Sequence, residues 1–129
     1  MQLTRNFTKE EFDSKDGSEM PPDVLRNIQY LAENLQRLRD YIALEKGREH
    51  PITINSGYRS PDHNKKVKGS PKSKHLLGKA ADIAVKGMTP KEVAHKIEEL
   101  ILTGRMRQGG IGIYPTFVHY DTRGQKARW

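Results

Sequence analysis

Ser73-Lys74-His75-Leu76-Leu77-Gly78-Lys79-Ala80-Ala81-Asp82-Ile83-Ala84-Val85 runs from a polar loop into an apolar segment, and its second half decides the fold. Ala80 to Val85, short and partly β-branched behind a glycine, reads as a strand. In an extended chain successive side chains alternate, so Ala81, Ile83 and Val85 share one face while Asp82 and Ala84 share the other. The first face asks for a hydrophobic core. The second carries an aspartate that is expensive to bury unless something positive pairs with it.

Working outward, Pro51-Ile52-Thr53-Ile54-Asn55 reads as another strand, followed by the turn-rich Ser56-Gly57-Tyr58-Arg59-Ser60-Pro61. Residues 62–74 are polar and interrupted by Gly69, Ser70 and Pro71, which predicts a short helix and then an irregular loop holding His75. On the other side, Thr89-Pro90-Lys91-Glu92 has a cap, a proline at the first helical position and a capping box. The helix it opens turns Val93, Ile97, Leu100 and Ile101 inward and ends at Gly104. Ile111-Gly112-Ile113-Tyr114 and Phe117-Val118-His119-Tyr120-Asp121, joined at Pro115-Thr116, predict a hairpin.

The N-terminal part is helical by the same signals. Thr8 and Glu11 have capping-box spacing, with Phe7 and Phe12 placed to close a hydrophobic staple. Pro21-Pro22-Asp23 then opens a long helix whose Val24, Ile28, Leu31, Leu35, Leu38 and Ile42 form one apolar stripe, ending near Gly47. Arg26, Glu33, Arg37 and Asp40 lie on its other face. The expected architecture is α+β: helices on one side of a small, mainly antiparallel sheet, with the chemistry at the sheet face and the adjoining loop. Residues 1–129 are expected to form one unit, with helices over 7–47 and the motif-bearing core over 51–129.

Bulk properties limit the function. A 129-residue chain with 34% hydrophobic residues allows one modest core. It contains no cysteine, so disulfides and thiolate metal sites are excluded and any metal must be held by histidines and carboxylates. The net charge of +7 favours polyanionic partners, nucleic acid or an acidic cell wall among them, or serves solubility alone. No apolar run is long enough to span a membrane, and no basic-then-apolar leader stands at the start, so the expectation is a cytoplasmic product as synthesised.

His75, Asp82 and His119 form a two-histidine, one-carboxylate set, the donor set that holds zinc while leaving a fourth position open for water. Taken singly, each has a plainer reading. A buried strand histidine is commonly a hydrogen-bonded core residue, and a strand aspartate commonly pairs with Arg or Lys.

The wording of the segments adds to the spacing. Ser73-x-His75-x-x-Gly78-x-Ala80-x-Asp82 with a strand histidine some forty residues on resembles the signature of the M15 family of zinc D-Ala-D-Ala peptidases, which cut peptidoglycan stem peptides. The resemblance extends to Ser56-Gly57-Tyr58-Arg59-Ser60, to Gly109-Gly110-Ile111-Gly112-Ile113-Tyr114 and to Phe117-Val118-His119-Tyr120-Asp121-x-Arg123-Gly124, and is closest to the short branch of bacterial and bacteriophage genomes. It implies one zinc per chain on His75, Asp82 and His119. It also implies that Arg59 steadies the developing oxyanion, a role that competes with a surface position in a polar turn. Ser73 is a candidate for contact with the substrate or the first ligand, as is Tyr114 for stacking on substrate.

One family part is missing. Many relatives carry a carboxylate three residues before the second histidine as general base, and others a histidine two residues before it; here those positions are Thr116 and Phe117. Asp121 is the nearest remaining acid, and two roles fit it: the base, or the partner that fixes the tautomer of His119.

The leading expectation is a zinc peptidase hydrolysing a bond next to a D-amino acid in the peptidoglycan stem, acting as a monomer and reaching the wall after holin-type release or meeting its substrate inside the cell. A binding protein of the same fold without catalysis is the alternative. A nucleic-acid-binding protein or metal nuclease is a weaker one, since no aromatic residue interleaves Lys65, Lys66 and Lys68. His50 and His95 read as solvated, His63 as exposed or cleft-lining. Tyr120 is as fit for packing as for substrate, and Trp129 either folds back onto the sheet or is free.

Overall fold

The apolar stripe becomes helix α1, Pro22–Lys46, in the computed structural model, which describes residues 1–129. All six stripe residues, from Val24 to Ile42, are buried in one core of 24 side chains. Each is worth roughly 1.5–3 kcal/mol in area removed from water, which makes the stripe the main anchor of the helix. Gly47 ends α1 in the left-handed conformation, φ 73°, its N–H donating to the Ala43 carbonyl. Ahead of α1 a 3-10 turn, Lys9–Phe12, forms where the capping box lies: Glu11 accepts from the Thr8 N–H at 2.8 Å, and Phe7 packs on Phe12 with ring centres 6.1 Å apart.

Five strands follow in the spatial order β1-β2-β4-β3-β5: β1 Ile52–Ser56, β2 Ala80–Val85, β3 Gly110–Ile113, β4 Val118–Asp121 and β5 Ala127–Arg128. The first four pair antiparallel, as expected. β5, which has no periodic signal in its two residues, adds parallel to β3 and makes the sheet mixed. Ala81, Ile83 and Val85 of β2, with Ile52, Ile54, Ile111, Val118 and Tyr120, turn to the core. Helix α3, Pro90–Leu102, joins α1 on this side; its N-terminus is closed by Glu92 N–H to Thr89 Oγ1 at 3.2 Å and Thr89 N–H to Glu92 Oε1 at 2.9 Å.

The register sets the opposite face. Asp82 of β2 stands directly across from His119 of β4, and His119 in turn from Gly112 of β3. At the end of β1 the register slips between Ile54 and Ser56, which brings Ser56 opposite Asp82 and aims the chain toward the site. The connection from β1 to β2 contains a short helix α2, Pro61–Lys66, and a 3-10 turn, Lys74–Leu77. His75 therefore stands on a helical turn, where the polar sequence reads as irregular loop. Ser73 caps that turn by accepting from the His75 N–H, and Gly78 closes it at φ 73°, pressed so closely on Val24 of α1 that a Cβ would meet its carbonyl oxygen at 2.8 Å.

His50 departs from expectation. It is 6% exposed rather than solvated, with Nδ1 2.9 Å from the Lys86 carbonyl, because Lys86 N–H donates to the Pro51 carbonyl and folds the end of the β1–β2 pair over it. His95 does lie at the surface, beside Glu99.

Candidate metal centre

The N-terminal segment prepares the first ligand. Gly57 packs against Phe12 so tightly that a Cβ would lie 2.7 Å from its Cα, and Tyr58 N–H donates to the Phe12 carbonyl at 2.8 Å. The Gly57 carbonyl thus held accepts from His75 Nδ1 at 2.7 Å. With that proton on Nδ1, Nε2 presents a bare lone pair. It is buried, has no hydrogen-bond partner, and faces Asp82 Oδ1 at 3.3 Å.

His119 repeats the arrangement. Its Nε2 lies 2.7 Å from Asp121 Oδ2 and its Nδ1 3.2 Å from the same Asp82 Oδ1. When Nε2 donates to Asp121, Nδ1 carries the free lone pair, so His75, Asp82 and His119 each turn one ligand atom to a common point, all within 4.8 Å of one another. Donors about 2.0–2.1 Å from a tetrahedral zinc stand about 3.3–3.4 Å apart. The Asp82 contacts meet that spacing, and the unpartnered His75 Nε2 is the atom a cation would satisfy. The three residues form a group able to hold a metal ion.

Charge around the group follows from burial and partners. Burial would push the Asp82 carboxyl up, but hydrogen bonds from His119 and His75, formed when the nitrogens facing Asp82 carry protons in place of a metal, outweigh it and hold the group well below the usual carboxylate range. Burial likewise opposes ionisation of His119, and its bonds to Asp121 and Asp82 overcome this and raise its pKa. A histidine with a raised folded pKa stabilises fully below about pH 6.5 and loses that contribution as pH rises through the folded value. In a chelator, the melting temperature is expected to fall as pH rises above about 6.5. Zinc added across the same range should stabilise more as pH rises, because it competes with one proton fewer. Calorimetric melting with and without zinc reads both trends.

Arg59 is inside the site rather than on the surface. Its backbone N–H donates to the His75 carbonyl at 3.1 Å, its Nη2 lies 3.6 Å from Asp82 Oδ2, and its Nη1 donates to Asn64 Oδ1 at 3.1 Å. Asn64, buried in α2, passes unremarked in the sequence as one residue of a polar run. Asp121 is fully buried; it accepts from Gly110 N–H at 2.9 Å and, on both oxygens, from Arg123 at 2.8 and 2.7 Å. Burial would raise its pKa, but the bonds from His119, Arg123 and Gly110 hold it far below the ordinary range.

The group opens into a cleft of about 870 Å³ lined also by Ser73, Tyr114, Phe117, Arg123 and Trp129. Asp82 is the one carboxylate in its lining, and Thr116 lies outside it. Tyr114 stacks on Phe117 with ring centres 4.5 Å apart, while Tyr120 is fully buried and donates to the Arg107 carbonyl at 2.7 Å. Trp129 folds back: its backbone pairs with Ile111 and Ile113, its indole lies 4.9 Å from the His119 ring and its Nε1 donates to Tyr114 Oη at 2.8 Å. Gly112 permits this, since a Cβ there would meet the indole nitrogen at 2.5 Å. His63 is half-buried and outside the cleft lining.

Comparison with known proteins agrees with the geometry. Peptidoglycan L,D-endopeptidase MepK of Escherichia coli (strain K12) is 34% identical over 106 residues, which cover 77% of this chain and 52% of MepK. MepK of Shigella flexneri matches over the same shares at the same identity. The chain spans about half the length of these curated relatives. The family profile described as Peptidase M15 matches residues 2–121. With a His-Asp-His group at the sheet face and this match along nearly its whole length, the chain belongs to the Peptidase M15 family.

Proposed function

We propose that this chain is a zinc peptidase of the bacterial cell wall that cuts an L,D peptide bond in peptidoglycan stem peptides. The observation that carries the reading is the convergence of two buried histidines and the partly buried Asp82 beside the Arg59 guanidinium, in an open cleft. His75, Asp82 and His119 would hold the ion, one per chain. When bound, zinc supplies Lewis acidity toward a carbonyl and activates water near neutral pH. Arg59, oriented by Asn64, would stabilise the negative charge that develops on the carbonyl oxygen. Ser73 holds the turn that carries His75, and Tyr114 with Trp129 walls the cleft. For Asp121 the orienting role is supported by its burial and by its three partners, which leave it no path to a substrate proton. The choice of an L,D bond over D-Ala-D-Ala rests on the name of MepK.

Zinc-loaded protein incubated with purified peptidoglycan and defined stem peptides, with new termini identified by mass spectrometry, tests this. Termini flanking an L,D bond are expected. Termini at D-Ala-D-Ala would assign carboxypeptidase specificity instead. Intact substrate with one zinc bound per chain would replace catalysis by binding, a reading favoured by Asp82 being the one carboxylate lining the cleft.

A further inference from the structure

The cleft is strongly asymmetric in charge. Its lining contains Arg59, Lys68, Lys72, Lys74 and Arg123 against the single carboxylate of Asp82. The two arginines are already engaged, Arg59 with Asp82 and Asn64 and Arg123 with Asp121 on both oxygens. The three lysines are not: none pairs with a carboxylate of this chain. All three come from one stretch, residues 68–74, in the connection between β1 and β2. The aromatic side chains of the cleft come instead from the β3–β4 turn and from Trp129 after β5, at the other edge of the sheet.

This lysine-bearing stretch is built in place. Asn64 Nδ2 donates to the Ser70 carbonyl at 3.0 Å, Gly69 N–H to the Asn64 carbonyl at 2.8 Å, and Ser73 N–H to the Ser70 carbonyl at 3.0 Å. The Asn64 that orients Arg59 therefore also fixes the lysine stretch. Lys68 has φ 59°, the one non-glycine residue of the chain in the left-handed region. Glycine would take that conformation without a steric penalty, so the fold holds a cationic side chain at the cleft where turn chemistry favours none. At Gly69 a Cβ would come within 2.2 Å of Asn64 Oδ1, so the stretch is closely packed on its inner side, while Lys68 and Lys72 are exposed and Lys74 is half-buried.

We infer that Lys68, Lys72 and Lys74 form a carboxylate-binding wall that selects peptides carrying free carboxylates near the bond placed at the metal group. The inference rests on the peptidase reading and names its substrate class: an anionic peptide, held by charge on one side and by Tyr114, Phe117 and Trp129 on the other. Exposed ammonium groups in water act weakly one at a time and are screened by salt, so selection comes from the set and weakens as ionic strength rises.

Two synthetic peptides identical except that the carboxylates of one are carboxamides in the other separate this inference from the peptidase reading. Binding to zinc-loaded protein is followed by fluorescence of Trp129, the one tryptophan, which lies in the cleft. The carboxylate peptide is expected to bind about tenfold tighter at low salt, the gap closing in roughly 0.5 M NaCl. In the Lys68→Gln/Lys72→Gln double variant the gap should shrink to about threefold or less, and Lys68→Arg/Lys72→Arg should restore it. Equal binding of the two peptides, no binding of either, or an unchanged gap in the glutamine variant overturns the wall. Cleavage is scored separately. Discrimination without turnover leaves the wall standing and removes the peptidase, whereas turnover of both peptides without discrimination does the reverse.

Discussion

His75→Ala is expected to lower zinc content from one ion per chain to a residual level after dialysis and to reduce peptide cleavage at least about a thousandfold. Partners outside the ligand set already change metal affinity about 10- to 100-fold in comparable sites, and loss of a ligand itself goes further. The loss of rate follows, because Lewis acidity at the carbonyl is worth several kcal/mol and each ~1.36 kcal/mol is tenfold. The site has no substitute donor: the neighbouring groups are Arg59, which repels a cation, and Asp82 and His119, already in the set. Elemental analysis of dialysed protein, with melting in chelator as the check on folding, measures the result. Zinc content equal to wild type would remove His75 from the ligand set, and lost folding in chelator would be answered by His75→Gln, which keeps volume and polarity.

What could be read from the chain before its structure was largely what local periodicity and caps encode. The stripe from Val24 to Ile42, the alternation in 80–85 and the box at Thr89 and Glu92 each arise within one element, and each became the element it predicts. The His75–Asp82–His119 group was legible for a related reason: alternation assigns Asp82 and His119 to faces, and strand pairing does the rest. Features made by contacts between distant elements left no such trace. Trp129 depends on a missing Cβ at Gly112 and on a two-residue parallel strand. Asn64 looks like any polar residue of a basic helix until Arg59 and Ser70 are seen on either side of it. His50 is buried only because Lys86 pairs with Pro51 across the strand ends.

Asp121→Asn is expected to cost zinc affinity about 10- to 100-fold and to lower the melting temperature by about 10 °C, while a large part of turnover returns at saturating zinc. The substitution keeps shape and removes charge. The new carboxamide would offer Arg123 a single neutral acceptor in place of two charged ones, and breaking a buried ion pair costs about 3 kcal/mol, the low end of the usual range because Arg123 keeps some contact with water. It would also present an amide N–H to His119 Nε2, favouring the tautomer with its proton on Nδ1, the nitrogen that faces Asp82. The pH dependence has a definite sign. A carboxyl with a depressed folded pKa stabilises above its unfolded value of about 3.9 and loses that contribution as pH falls toward the folded one. The gap in stability between wild type and variant should therefore be widest above about pH 5 and narrow steadily in acid. If Asp121 took the proton from water instead, zinc affinity would hold and turnover would stay lost at any zinc concentration. Titration of zinc against rate distinguishes a carboxylate that aims a ligand from one that moves a proton.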